Sequence, residues 1–153
     1  MIPLDSFDLA ILRILQRDSA TPQRLVAEQV NLSAPSVQRR IRRMEDAGVI
    51  ARNVAVLDGA KLGLPLTIFV QVELEAETPD IIDLMKARFR NASEVQQCFY
   101  VTGEVDFMLV VVVESMAAYE DFTRRVFFDG GHVRKFRTFV AMDAVKTGLA
   151  LGI

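Results

Sequence analysis

Residues 32–50 read LSAPSVQRRIRRMEDAGVI and place four arginines, Arg39, Arg40, Arg42 and Arg43, within five positions of a chain whose net charge is −2. At about 100° per residue, Val37, Ile41 and Met44 form one apolar stripe of a helix. Pro35, Arg39, Arg42 and Arg43 fall on the opposite side, between about 140° and 240° of the wheel, with Ser36 beside them and Gln38 and Arg40 on the flanks. The spacing therefore predicts a helix that packs by its apolar stripe and turns three of its four arginines outward. Ser33 suits the N-cap, the helix begins near Pro35, and Gly48 suits the left-handed position that ends it.

Working outward, Asp5 is placed to cap an earlier helix whose inward face is Phe7, Ile11, Ile14 and Leu15. Thr21-Pro22 opens a second helix, with Thr21 as cap, carrying Leu25, Val26 and Val30 inward. Asn31-Leu32-Ser33 is a three-residue turn into the arginine helix. A helix, a short turn and a second helix is the arrangement that lets one helix enter the DNA major groove while its partner crosses the backbone. On this reading Ser33 and Ser36 permit close approach of the duplex. Ser36, Gln38 and Arg39 are assigned to base edges, and Arg40, Arg42 and Arg43 mostly to phosphates. A solvated basic face is the alternative for the same residues.

The charge count makes direction decisive. Residues 1–60 carry 8 Arg against 7 acids and residues 61–153 carry 10 Lys or Arg against 13, so the first part is only +1. Where the guanidinium groups point then matters more than how many there are.

Beyond Gly48, β-branched residues from Val49 to Leu57 suggest a short ribbon, and residues 59–65 form the domain connection. The rest reads strand (66–76), helix (79–91), strand (95–102), strand (105–114), helix (116–128), strand (133–145). This βαββαβ order predicts a four-stranded antiparallel sheet with both helices on one face, a ferredoxin-like domain over residues 59–153, following a three-helix, winged-helix-like domain over residues 1–58. The fold class is α+β. Phe69, Val72, Phe99, Val101, Leu109, Val111 and Phe139 supply more apolar surface than two helices of about twelve residues cover, so self-association through the sheet is expected.

DSFDLAILRILQRD followed by LVAEQVNLSAPSVQRRIRRMEDAGVI resembles the helix-turn-helix of the leucine-responsive and asparagine-responsive (Lrp/AsnC) transcription regulators. VQQCFYVTGEVDFMLVVV, ESMAAYEDF and TFVAMDAVK are similar to that family's effector and oligomerisation (RAM) domain. The two matches cover nearly the whole chain in the family's order. The resemblance implies a cytoplasmic regulator of amino-acid metabolism that binds a pseudo-palindromic double-stranded operator as a homodimer or higher oligomer, without a cofactor. It further implies a free amino acid bound between dimers at the Gly-x-x-Asp turn of VTGEVD. The residues carried over are Gly103 and Asp106, with backbone around Val101 and Thr102, and Thr138 in the last strand. Without the resemblance, VTGEVD reads as a hairpin turn in which Asp106 acts as a cap. Two departures from the family pattern stand out: SATPQR at 19–24 replaces its Gly-Arg turn, and FFDGGHVRK at 127–135 adds Gly130-Gly131 where protomers meet.

Other classes have less behind them. One Cys and one His cannot build a four-ligand zinc site or an internal disulfide. No apolar run approaches the length of a membrane span. An enzyme on a ferredoxin-like scaffold lacks a recognisable nucleophile-base spacing or phosphate-cradling loop, and an oligomerising effector module without DNA binding is the remaining alternative. Cys98 and Tyr100 read as packing residues, His132 as a loop residue and Lys146 as a solvated charge.

Overall fold

The computed structural model describes residues 2–153. They form two compact units, the segment up to Val56 together with Lys146–Ile153, and Leu57–Val145.

In the first unit, α1 spans Ser6–Leu15, α2 Gln23–Val30 and α3 Ala34–Asp46. Asp5 caps α1 through a reciprocal box: its carboxylate accepts the Asp8 amide at 2.9 Å, and the Asp8 carboxylate accepts the Asp5 amide at 3.1 Å. Ser33 caps α3, with its Oγ accepting the Ser36 amide. Gly48, at φ +71°, lets the chain reverse so that the amides of Val49 and Ile50 reach the Met44 carbonyl. Thr21 does not cap α2. The N-cap is Pro22, and the Thr21 hydroxyl turns back to the Asp18 carbonyl at 2.8 Å.

Ile11, Val26, Ala27, Val30, Val37 and Met44 are the buried core of this unit. Phe7 and Leu25, expected inward, are 42% and 37% exposed. The position that turns fully inward beside Ile11 is the charged Asp8. The ribbon expected over residues 49–57 does not form among the described residues, where the segment has no regular secondary structure and no strand partner. A strand needs a neighbour to satisfy its amides and carbonyls, and no second strand of this unit lies beside it.

The division also differs from the expected boundary at the C-terminal side. Residues 146–153 belong with the first unit, because the Gln16 side chain bonds both the amide and the carbonyl of Leu151 at 3.0 Å, and Arg13 Nε donates to the Ile153 carbonyl at 2.7 Å.

The second unit runs β1 (Leu66–Leu74), α4 (Pro79–Asn91), β2 (Val95–Tyr100), β3 (Phe107–Val113), α5 (Met116–Thr123) and β4 (Val133–Val140), with a wider π-helical turn over Arg124–Phe128. The sheet is antiparallel throughout, in the order β2-β3-β1-β4. The period of two sends Ile68, Val70, Val72 and Leu74 of β1, and Phe107, Leu109, Val111 and Val113 of β3, to the helix-covered face. There they pack on Met85, Phe89, Tyr119, Phe122, Val126 and Phe127.

Val72, Leu109 and Val111 are therefore core residues. The uncovered face carries Phe69, Phe99 and Phe139, at 43%, 54% and 50% exposed, with Met108, Val110 and Val112 half-buried between them. β4 ends at Val140 because the last bond available to it runs from the Ala141 amide to the Thr67 carbonyl near the start of β1.

Candidate nucleic-acid interface and ligand loop

The four arginines of α3 divide into two pairs, each with the three-residue spacing that puts side chains on one helix face. Arg40 and Arg43 converge on one buried carboxylate. Asp8 has no exposed side-chain surface; its Oδ1 accepts from Arg40 Nη1 at 2.8 Å and its Oδ2 from Arg43 Nη2 at 2.5 Å. Arg40 also reaches Asp5 at 2.9 Å and lies over the Phe7 ring, 5.6 Å from its centre, which leaves its side chain 22% exposed. The paired carboxylates hold the Arg40 guanidinium above its usual pKa, Asp8 most strongly and then Asp5.

Arg39 and Arg42 form the other pair. Both are exposed, and among the described residues neither has an acidic partner. They share the outer surface of α3 with the exposed Gln38 and the half-buried Ser36. Ser33 lies at the helix start with its oxygen already engaged as a cap, so its hydroxyl hydrogen is what it can offer to an acceptor. The helix thus presents two unpaired guanidinium groups and an amide on its outer side, with the Ser36 hydroxyl beside them and that of Ser33 at the helix start. The planar fork of such groups suits phosphate oxygens and guanine edges.

The VTGEVD segment is a six-residue loop, longer than the expected hairpin turn. β2 stops at Tyr100 and β3 starts at Phe107 because Asp106 is drawn onto β1. Its amide donates to the Val72 carbonyl at 2.9 Å, its carboxylate accepts the Leu74 amide at 2.7 Å, and its own carbonyl accepts the Val101 amide at 2.9 Å. Asp106 is 8% exposed. Gly103, at φ +123°, adopts a conformation that side chains rarely take, and Thr102, Gly103 and Glu104 are exposed at the tip.

Thr138 is not beside this loop in the same chain. It pairs with Val70 in the register of β4, four residues from Leu74 and hence about 13 Å along the strand. Its Oγ1 shares a 2.7 Å hydrogen bond with the Tyr119 hydroxyl, whose pKa burial pushes up.

Two clefts lie elsewhere in this unit. One of about 330 Å³ lies between Arg88, Arg125, Asp129 and Gly130, and one of about 430 Å³ beside β2 is lined by Lys86, Arg90, Cys98 and Tyr100. Cys98 and Tyr100 are exposed at this sheet edge, so the packing expected of them is partial. Burial pushes the Cys98 thiol up despite nearby Arg90. Gly130 lies flush against the guanidinium of Arg88, which donates to the Val126 carbonyl at 3.3 Å.

Residues 4–51 match the model of a winged helix-turn-helix DNA-binding domain, and residues 67–151 match the Lrp/AsnC ligand-binding domain. The chain belongs to the Lrp/AsnC family. It is 39% identical to an HTH-type transcriptional regulator of Sinorhizobium fredii over 98% of this chain and 89% of that one. An AsnC family transcriptional regulator from Agrobacterium tumefaciens superposes with a TM-score of 0.92 at 34% identity, covering 97% and 96% of the two chains. A transcriptional regulator from Neisseria meningitidis, solved with L-methionine, gives 0.92 at 28% identity over the same shares.

This Lrp/AsnC chain is accordingly a DNA-binding transcriptional regulator that joins a helix-turn-helix to a ligand-binding domain. Sequence reasoning missed Asp8, the residue that organises its arginine helix. A signal for it existed: Asp5 and Asp8 have the spacing of a capping box, and Asp8 stands three residues before Ile11, where an apolar residue would continue the inward face.

Proposed function

We propose that this regulator binds a pseudo-palindromic double-stranded operator through α3 and that a free amino acid modulates its assembly or its DNA geometry. The observation that carries the first part is the unpaired, exposed Arg39 and Arg42 on the outer side of a helix whose opposite stripe packs into the core through Val37 and Met44. Ser36, Gln38 and Arg39 read base edges and Arg42 meets phosphate. Ser33 contributes from the helix start, and Arg40 and Arg43 add contacts from fixed positions. A homodimer would set two such helices one turn of DNA apart, roughly 34 Å.

The effector reading rests on the ligand-binding domain and on the relative solved with L-methionine. The loop supplies peptide groups of Val101, Thr102 and Gly103 for a carboxylate and has Asp106 at its base, while Thr138 would come from elsewhere in an assembly. The three aromatic rings on the open sheet favour dimerisation there, with larger assemblies built on the dimer. No cofactor is part of this reading, and its setting is the cytoplasm, where amino-acid supply and operator meet. An enzyme or a module without DNA binding is less favoured, since both halves of the chain match the two domains of a regulator.

Anisotropy titration of labelled DNA from the protein's own upstream region tests the interface. Arg39→Ala with Arg42→Ala is expected to weaken binding and flatten the salt dependence, and unchanged affinity and slope would remove α3 from the interface. Thermal unfolding with each of the twenty amino acids at about 10 mM tests the effector, because a ligand that binds only the folded state raises its stability. A rise confined to one or two amino acids identifies it; no rise with any sinks the amino-acid reading.

A further inference from the structure

We infer that Asp8 is a positioning residue for DNA discrimination: by clamping Arg40 and Arg43 it leaves Arg39 and Arg42 as the mobile guanidinium groups of α3. The inference rests on the reading of α3 as the DNA-contacting helix. Its basis is the division of the arginines into two pairs at the same spacing and with opposite surroundings.

Each oxygen of the Asp8 carboxylate holds a different arginine, at 2.8 and 2.5 Å, and Oδ2 also accepts the Asp5 amide. The carboxylate cannot turn without breaking the capping box of α1, so the first turn of one helix fixes the geometry of the next but one. Asp5 adds a second anion to Arg40, and the Phe7 ring covers that guanidinium from one side. A guanidinium held this way keeps its remaining N–H groups at one place and angle. It can serve a phosphate only where the duplex brings one to that place. Free guanidinium groups such as those of Arg39 and Arg42 find a phosphate on any duplex, and so contribute to affinity without regard to sequence.

The clamp therefore acts on the difference between specific and non-specific binding. Without Asp8, Arg43 loses its acidic partner and becomes a further mobile cation facing the duplex, while Arg40 stays held by Asp5 and the Phe7 ring alone. Non-specific affinity rises, the salt dependence steepens, and the ratio of specific to non-specific affinity falls.

The test uses the full-length protein on two labelled duplexes, one carrying its upstream operator region and one scrambled, titrated at several salt concentrations. Wild-type protein must first bind with a measurable salt slope; if it does not, the DNA-contact reading fails and Asp8 is not at issue. For Asp8→Asn, which preserves side-chain shape, we expect the slope of log affinity against log salt on scrambled DNA to steepen by about one, the contribution of the released Arg43. The specificity ratio should fall about tenfold or more. A variant that is merely less stable, with slope and ratio as in wild type, overturns the inference. Should Asp8→Asn not fold, Arg42→Gln and Arg43→Gln decide with Asp8 in place. Arg42→Gln is expected to flatten the scrambled-DNA slope by about 0.9 and Arg43→Gln by less than half as much; equal losses overturn the clamp.

Discussion

Asp8 and Arg40 meet at 2.8 Å although 32 residues separate them, and this pair ties the first turn of α1 to the middle of the arginine-rich helix α3. The carboxylate is wholly buried and the Arg40 side chain 22% exposed, and the buried charge is tolerable only because Arg40, Arg43 and the Asp5 amide complete its set of partners.

Acidification should loosen this cluster from its exposed edge. The Asp8 amide does most to lower the pKa of Asp5; burial opposes it, and the Arg40 guanidinium lowers it further. A carboxyl whose folded pKa lies below its unfolded value contributes stability that is present above the unfolded value, near pH 4, and is lost as pH falls through the folded one. Urea unfolding of wild type and Asp5→Asn should differ by a constant amount from about pH 7 to 5 and converge toward about pH 3. A gap that persists unchanged at the acid end would show that the stabilisation does not come from the charged form.

Asp106 carries a structural task that its substitutions should expose. Asp106→Ala leaves the buried Leu74 amide without its acceptor and is expected to cost about 1–3 kcal/mol in chemical denaturation. Asp106→Asn retains an acceptor and should recover most of that loss. Calorimetric titration of the Asn variant then isolates the charge: an amino-acid affinity equal to wild type assigns Asp106 to the fold of the loop, and a drop of tenfold or more assigns it to the ligand's ammonium group.

Each unit has a core residue whose truncation reports on it. Met44→Ala, in the first unit, should cost about 2–5 kcal/mol, and Phe89→Ala, in the second, about 3–5 kcal/mol. Phe89 meets Phe107 and Phe127 edge to face at 5.2 and 6.2 Å, so its removal also breaks two aromatic contacts. Denaturant midpoints that fall by much less would mean that the surrounding side chains collapse into the space.

The open sheet face predicts the effect of charge on assembly. Phe139, on the edge strand β4, stands opposite Phe69 in the β1–β4 register, so Phe139→Glu puts a carboxylate beside Phe69 on the exposed apolar surface. Sedimentation velocity should show at least about a tenfold weaker self-association, the effect of losing one central aromatic anchor. Unchanged sedimentation would place the protomer interface on another surface.

Local rules reached most of the fold. Three helices with their Asp5, Ser33 and Gly48 signals, the order of the sheet elements and the outward side of Arg39 and Arg42 all follow from periodicity and capping, which act over a turn or two of chain. Strand ends were less legible, because where β2, β3 and β4 stop depends on partners in β1 rather than on their own residues. Whether residues 49–57 form a strand depends in the same way on a neighbour that the segment itself does not specify.

The arginines show most plainly where local reading stops. That four of them crowd one helix, and that three face away from its apolar stripe, follows from the fixed angle between successive residues of the chain. Which of them remain free depends on the packing of α1 against α3. Arg40 and Arg43 are held by carboxylates more than thirty residues earlier, and a charge pair of that separation exists only after α1 has packed against α3. Helical periodicity is a property of neighbours along the chain, whereas the partner of a charge is whatever folding brings within reach.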